Sequence, residues 1–145
     1  MGKETPEQAK LVRMLAKVPL FSGLKENDLK VVAGEGREVN FQTGQTILKQ
    51  GEPGLSFLLV LEGKVEVRKR GKVVATTEAG GFFGEMTVID EKPRTAEVVA
   101  VEPTRCFGIT AWSFTPILRS NPSIAIGIIR ELVRRLRQHE EDSIS

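Results

Sequence analysis

The side chains most able to do chemistry lie between positions 81 and 96 of the sequence. Gly81 and Gly84 allow the backbone to approach a ligand closely, and the short apolar run behind Glu85 can form one helical turn whose free N–H groups face an anion. Arg94 adds a permanent cation with a planar fork of donors, and Pro93 fixes the backbone directly before it. These residues, in this order, predict a site for a small molecule that carries a phosphate.

Glu85 gives the predicted site a carboxylate nine residues before Arg94. Because a carboxylate repels phosphate, we expect it to accept hydrogen bonds from ligand hydroxyls, as acidic residues do from a ribose in other nucleotide sites. A phosphate together with a sugar indicates a nucleotide. Two alternatives stay open: Arg94 could be a structural arginine paired with Asp90 or Glu91, and Glu85 could serve a helix dipole.

The segment FFGEMTVIDEKPRTAEVVA, residues 82–100, resembles the phosphate-binding cassette of the cyclic nucleotide-binding domain family. The resemblance extends over roughly residues 10 to 140, because residues 20–24, 44–51 and 55–67 and the pair Asn121-Pro122 are similar to further motifs of that family. It is carried by the order of FGE, PR and the glycines rather than by FGE alone. It implies a stand-alone member of the type found in catabolite activators and protein kinase regulatory subunits.

The fold that the resemblance implies is mainly β with flanking helices. It is a double-stranded β-helix or jelly roll, the cyclic nucleotide-binding β-roll, with helices before it and one long helix after it. The predicted boundaries are a single domain over residues 1–145, a β-roll over about 37–110 and a C-terminal helix over about 122–141.

The resemblance also implies which residues bind the ligand. Arg94 would grip the cyclic phosphate with backbone N–H groups near Met86 and Thr87, and Glu85 would bind the ribose 2′-hydroxyl. The full predicted set is Phe83, Gly84, Glu85, Met86, Thr87, Arg94 and Thr95. In some relatives that prefer cyclic GMP a threonine after the arginine is associated with guanine contact, but an ordinary strand threonine is an equal alternative for Thr95. Cyclic AMP is the first candidate and cyclic GMP the second, with no cofactor.

The end of the last helix is a further candidate, because relatives offer side chains to the purine from this level. Arg135, Gln138 and His139, with Glu140 beside them, are predicted as a lid over the base, from the same chain or from a partner. The alternative is that these residues are simply solvated at the end of a helix.

Composition narrows the function classes. A formal net charge of +2 does not favour a nucleic-acid surface, so no direct nucleic-acid binding is expected, and the arginines of the last helix are interpreted as a solvated face. One cysteine excludes an intrachain disulfide, and one histidine leaves a metal-dependent jelly-roll enzyme without its ligands. The chain is therefore not expected to be an enzyme. The apolar runs are strand-sized and no secretory core follows Met1, so a cytoplasmic protein without membrane contact is expected.

The elements that position the site are predicted to be a run of short strands with helices before and after it. A capped helix is predicted from Thr5-Pro6 to about Ala16, and a second over Glu26 to Ala33. Short β-prone runs then extend from Arg37 to Thr110, including a central strand over Leu55 to Leu61 and a partly exposed hairpin that turns at Gly71-Lys72.

Four expectations concern the chain from Arg94 onward. Arg94 is placed on the strand that runs to Val101. Cys106 and Trp112 are interpreted as core residues. The resemblance implies a continuous short helix over Trp112 to Arg119, but Pro116 falls inside it, and a later start at Thr115 is the alternative. Asn121-Pro122 opens the last helix, whose apolar stripe is wide enough for two contacts. The stripe consists of Ile124, Ile128, Ile129, Leu132, Val133 and Leu136.

These features predict a sensor that binds a cyclic nucleotide. Its last helix would move about a hinge near Asn121, and this movement would signal to an unidentified effector protein or within a homodimer. Two alternatives stay open: a ligand-insensitive interaction module, and the ligand-binding part of a transcription regulator that lacks its helix-turn-helix.

Overall fold

The structure is a computed structural model that describes residues 4–51, 56–85, 87–90 and 92–144. Chain contacts divide it into a β unit, Glu35–Thr115, and a helical unit formed by Met1–Gly34 and Pro116–Ser145. That residues 1–145 act as a single domain stays a prediction.

The helical unit begins with α1 (Pro6–Ala16), a 3₁₀ turn (Pro19–Phe21) and α2 (Glu26–Glu35), and it ends with α5 (Pro122–Ile144). The start of α1 is confirmed as a capping box, because the Gln8 N–H donates to the Thr5 hydroxyl at 3.1 Å and the Thr5 N–H donates to the Gln8 side chain at 2.8 Å. The second helix is longer than the predicted Glu26–Ala33.

The β unit contains, among the described residues, eight strands and one helical turn. They are β1 (Arg37–Phe41), β2 (Thr46–Leu48), β3 (Ser56–Glu62), β4 (Lys64–Lys69), β5 (Lys72–Glu78), β6 (Phe82–Phe83), α3 (Thr87–Asp90), β7 (Glu97–Ala100) and β8 (Thr104–Thr110). The next helix, α4 (Ala111–Ser120), begins within this unit, which ends at Thr115.

Two antiparallel sheets of four strands make up the roll, in the orders β1-β8-β3-β6 and β2-β7-β4-β5. Apolar side chains from both sheets form one buried cluster between them, namely Leu58, Val60, Val65, Val98 and Cys106. Such a two-layer core is what alternating strands of this kind can bury. The predicted fold class, a mainly β roll with flanking helices, is confirmed.

One local prediction for the strands is confirmed, and a second is corrected by one residue. Residues 57–60 of β3 are buried at successive positions, so that strand is covered on both faces, whereas Leu55 lies outside the described residues. The predicted β4–β5 hairpin is present, but it turns at Arg70 and Gly71 rather than at Gly71-Lys72, because Lys72 already pairs with Lys69 in the strand register. The φ angles of Arg70 and Gly71, 52° and 77°, match the positive values that a two-residue hairpin turn requires.

The structure corrects two predictions for α4. The helix begins at Ala111 and continues through Pro116. Burial of Ala111, Phe114 and Ile117 along one face stabilises the helix and offsets the loss of the backbone hydrogen bond that proline cannot donate. Trp112 was expected in the core but is 66% exposed, since it lies one residue away from that buried face. Cys106 is buried, as predicted.

The last helix, α5, has two apolar faces. Ile124 and Ile128 are buried, and close to them Gly127 lies so near Leu24 that an added Cβ would be 2.6 Å from its Cδ2. The other face is exposed and carries Ile126, Ile129, Val133 and Leu136. Two separate apolar faces explain why the stripe in the sequence is too wide for one contact.

Candidate functional site

An open cavity of about 410 Å³ lies in the β unit. Phe83, Gly84, Glu85, Arg94 and Thr95 all line it, so the structure brings these predicted site residues together. Of the other two predicted residues, Met86 lies outside the described residues, and of Thr87, which begins α3, only the backbone is described. A cavity of this volume is in the range that small ligands occupy.

Gly84 sets the shape of the cavity on one side. It follows β6 with a φ of 80°, a conformation that residues with a Cβ rarely adopt, and its carbonyl accepts the Val88 N–H at 3.0 Å to begin α3. A Cβ at this position would lie 2.3 Å from the Ser56 carbonyl oxygen and 2.5 Å from Arg94 Nη1. Only glycine therefore leaves room for the guanidinium.

Arg94 places a half-buried cation against that glycine. Its Nη2 donates to the Ser56 carbonyl oxygen at 2.5 Å, and its own carbonyl accepts the Gly51 N–H at 2.9 Å. Burial lowers the pKa of Arg94 from its usual value, yet an arginine remains charged at neutral pH. A cation that is partly removed from water attracts an anion more strongly than one that is fully solvated.

One prediction about Arg94 is wrong. It was placed on the strand that follows, but β7 begins three residues later at Glu97. The position of Arg94 is fixed instead by the bond between its carbonyl and Gly51, a contact across the fold. The alternative in which Arg94 pairs with Asp90 or Glu91 concerns side chains outside the described part of the chain.

The remaining walls of the cavity are mostly apolar. Leu48, Val67 and Val98 come from the sheet that contains β4, and Phe82 comes from the other sheet, where its ring lies 6.5 Å from that of Phe57. Apolar walls around a few polar groups are typical of small-molecule sites. A ligand with a charged end and a flat apolar end would suit this combination.

Sequence reasoning missed the contribution of β4, from which Val67 and Lys69 line the cavity. The signal was present in the alternation of the strand, because residues two apart share a face. The sequence did not show which face of β4 is turned toward the cavity or which strand pairs with β4 beside it.

The predicted lid residues all lie on α5, in the helical unit. Arg135, with Arg134, pairs with the buried carboxylate of Glu131, to which Arg134 Nη2 lies at 2.6 Å and Arg135 Nε at 3.4 Å. These contacts, led by the hydrogen bond from Arg134, lower the pKa of Glu131. Gln138 donates to Asp142 Oδ1 at 3.1 Å, and His139 is exposed. The lid over a base stays a prediction.

In the part of the chain that the structure describes, no group of three or more His, Cys, Asp or Glu side chains could hold a metal ion. Over the same residues, every helix is too short or too polar to cross a membrane.

Known proteins resemble this chain in both sequence and structure. The family model described as cyclic nucleotide-binding domain matches residues 38–121. The chain is 27% identical over 130 residues to a CRP-like cAMP-activated global transcriptional regulator of Mycobacterium tuberculosis, an alignment that covers 86% of this chain. It is 30% identical over 125 residues to the cyclic AMP receptor protein of Thermus thermophilus, which covers 83%. In both cases the chain spans 58% of the relative's length.

A solved structure agrees with these matches. The N-terminal domain of a transcriptional regulator from Streptomyces coelicolor A3(2) superposes with a TM-score of 0.83 at 27% identity, over 88% of this chain and 95% of that domain. The match of the family model to more than half of the sequence, together with this likeness in fold, decides the family. The chain belongs to the cyclic nucleotide-binding domain family.

Proposed function

We propose that this chain binds a 3′,5′-cyclic mononucleotide in the cavity beside Arg94, with cyclic AMP as the first candidate and cyclic GMP as the second. The observation that carries the proposal is the half-buried Arg94 guanidinium beside Gly84 at the cavity wall. A cyclic phosphate carries one negative charge and has oxygens that a guanidinium can bind through two parallel hydrogen bonds.

The other polar groups of the cavity suit the remainder of such a ligand. Glu85, which also lines the cavity, would accept a hydrogen bond from the ribose 2′-hydroxyl, and Thr95 would lie near the phosphate or the base. The backbone N–H groups at the start of α3 would complete the phosphate contacts. The apolar walls at Leu48, Val67 and Val98 would then cover the base.

Cyclic AMP comes first because two of the relatives are named for it, the regulator of Mycobacterium tuberculosis and the receptor protein of Thermus thermophilus. The family is a regulatory binding domain rather than a catalytic one. We therefore propose that the chain works by binding and release of its ligand and is not an enzyme.

We also propose that α5 reports ligand binding, either to an effector protein or within a homodimer. Its exposed side chains Ile126, Ile129, Val133 and Leu136 follow each other at spacings of three, four and three residues. That is the spacing of a coiled-coil seam, and a second copy of α5 would cover it. Ligand can change the packing of this helix, with Asn121 as the hinge, only through a difference in affinity between two states.

A second candidate is the ligand-binding part of a transcription regulator, which the names of the similar proteins favour. It predicts the same ligand and the same cavity, so it differs only in the output. The length of the natural protein, and DNA binding by that full-length protein, would separate the two.

The proposal is tested by calorimetric titration of the protein with cyclic AMP and, separately, cyclic GMP, and by thermal melting with each. Binding to the folded state raises the free energy of unfolding with the logarithm of ligand concentration over Kd, and the melting temperature rises with it. We expect saturable heat with one site per chain and a rise in melting temperature. If neither nucleotide gives heat or raises the melting temperature at millimolar concentration, the proposal fails for these two ligands, and the ligand-insensitive module becomes the favoured alternative.

A further inference from the structure

Lys69 is a second cation at the nucleotide cavity. It ends β4 and lines the cavity with Val67, because residues two apart on a strand point to the same side. Arg68 lies between them on the opposite face, where its guanidinium pairs with Glu66 at 2.8 Å. Among the described residues no carboxylate forms an ion pair with Lys69, whose side chain is exposed at the cavity rim.

The strand register locates Lys69 relative to the cassette. In the antiparallel pairing of β4 with β7, Val67 is opposite Val98 and Arg68 is opposite Glu97. The next residue of β4 is therefore level with Ala96, which follows Thr95 and also lines the cavity. Lys69 thus belongs to the wall that contains the apolar side chains, while the Arg94 guanidinium is packed against Gly84.

A ligand whose phosphate is bound at Arg94 would place its base against that wall. Guanine presents two adjacent acceptors on its exposed edge, O6 and N7, whereas adenine presents the N6 amino donor beside N7. A lysine ammonium has three donors and no acceptor. It can therefore bind the guanine edge through both acceptors, and the adenine amino group opposes it.

We infer that Lys69 selects the base: it raises the affinity of the cavity for cyclic nucleotides that carry an oxygen at purine position 6, relative to cyclic AMP. This inference rests on the proposed function, because it requires a cyclic nucleotide in the cavity. It adds a discriminating residue on β4, outside the cassette and outside α5.

A simpler effect must be separated from this one. A cation near the cavity attracts the phosphate of every cyclic nucleotide, and its removal would weaken cyclic AMP and cyclic GMP alike. Lys72 provides the matched control, because it is the partner of Lys69 in the β4–β5 register and carries the same charge but does not line the cavity.

The experiment compares wild type, Lys69→Met, Lys69→Arg and Lys72→Met by calorimetric titration at about 0.15 M salt, where charges further apart than about 8 Å are largely screened. The ligands are cyclic AMP, cyclic GMP and cyclic IMP, the last of which has the oxygen without the 2-amino group. For Lys69→Met we expect affinity for cyclic GMP and cyclic IMP to fall about fivefold or more, while cyclic AMP changes less than about twofold. Lys69→Arg keeps the donors and should therefore keep the affinity for cyclic GMP and cyclic IMP. Lys72→Met should change the affinity for all three ligands equally.

Each other outcome has a distinct meaning. An equal loss for all three nucleotides in Lys69→Met would overturn base selection and leave only charge attraction. Binding of cyclic AMP by wild type with no measurable cyclic GMP or cyclic IMP would also overturn it, while the proposed function would stand. Absence of binding by every nucleotide would remove the proposed function itself. Thermal melting of each variant shows whether it is folded before the titrations are compared.

Discussion

Replacement of Gly84 by alanine tests whether the close approach of Arg94 to the backbone makes the site. Two costs follow from the structure. The φ of 80° disfavours any residue with a Cβ, at about 1 to 2 kcal/mol. The new methyl group would also lie 2.3 Å from the Ser56 carbonyl oxygen, a backbone atom that cannot rotate away, and such overpacking costs about 1 to 3 kcal/mol. Together they predict that the free energy of unfolding falls by about 2 to 5 kcal/mol.

The same methyl group would force the guanidinium away, since it would lie 2.5 Å from Arg94 Nη1. We therefore expect affinity for cyclic AMP to fall by more than about tenfold, or about 1.4 kcal/mol. Urea denaturation measures the loss of stability, and calorimetric titration of the folded variant measures the loss of affinity.

Gly80→Ala is the matched control. Gly80 has a similar φ of 94°, but an added Cβ meets nothing within 4 Å, so this variant has the backbone strain without the clash. It should lose only about 1 to 2 kcal/mol of stability and keep the wild-type affinity. Equal effects of the two substitutions on affinity would refute the reasoning, because the contact with Arg94 would then contribute nothing.

Three further predictions concern other parts of the chain. Ile129→Asp or Val133→Asp should shift the protein from dimer toward monomer in sedimentation, unlike Arg137→Asp, and a monomeric wild type would contradict the proposed seam. Thr5→Ala should lower the free energy of unfolding by about 1 kcal/mol through loss of the capping box, with Thr5→Ser close to wild type in urea denaturation. Burial raises the pKa of the Cys106 thiol to about 11. Alkylation at pH 8 should therefore be much slower in the folded than in the urea-unfolded protein, and stability should fall as pH rises from about 9 toward 11.

The sequence predicted those features that depend on neighbouring residues. Thr5, Pro6 and Gln8 are three residues or fewer apart, so the capping box could be recognised before any tertiary contact was known. The β4–β5 hairpin was predicted in the same way from Gly71, although its turn pairs Gly71 with Arg70 rather than with Lys72. Local hydrogen bonds and backbone preferences decide such elements.

Predictions that required the packing of distant segments were less successful. The carbonyl oxygen that fixes the Arg94 side chain belongs to Ser56, which lies 38 residues earlier, and no spacing rule in the sequence relates the two. Trp112 was misplaced because its exposure depends on the rotation of α4 about its axis, and a single large apolar residue does not define that rotation. Lys69 was missed because its place at the cavity follows from the register of β4 with β7.

The central claim is that the Arg94 guanidinium neutralises the phosphate of a bound cyclic nucleotide. Its most direct test is the affinity for cyclic AMP of Arg94→Ala beside Arg37→Ala, which removes an exposed arginine of β1 that does not line the cavity. Loss of a buried charge pair costs about 2 to 5 kcal/mol, so Arg94→Ala should bind about thirty to several thousand times more weakly while Arg37→Ala binds like wild type. An Arg94→Ala protein that binds cyclic AMP as tightly as wild type would contradict the claim.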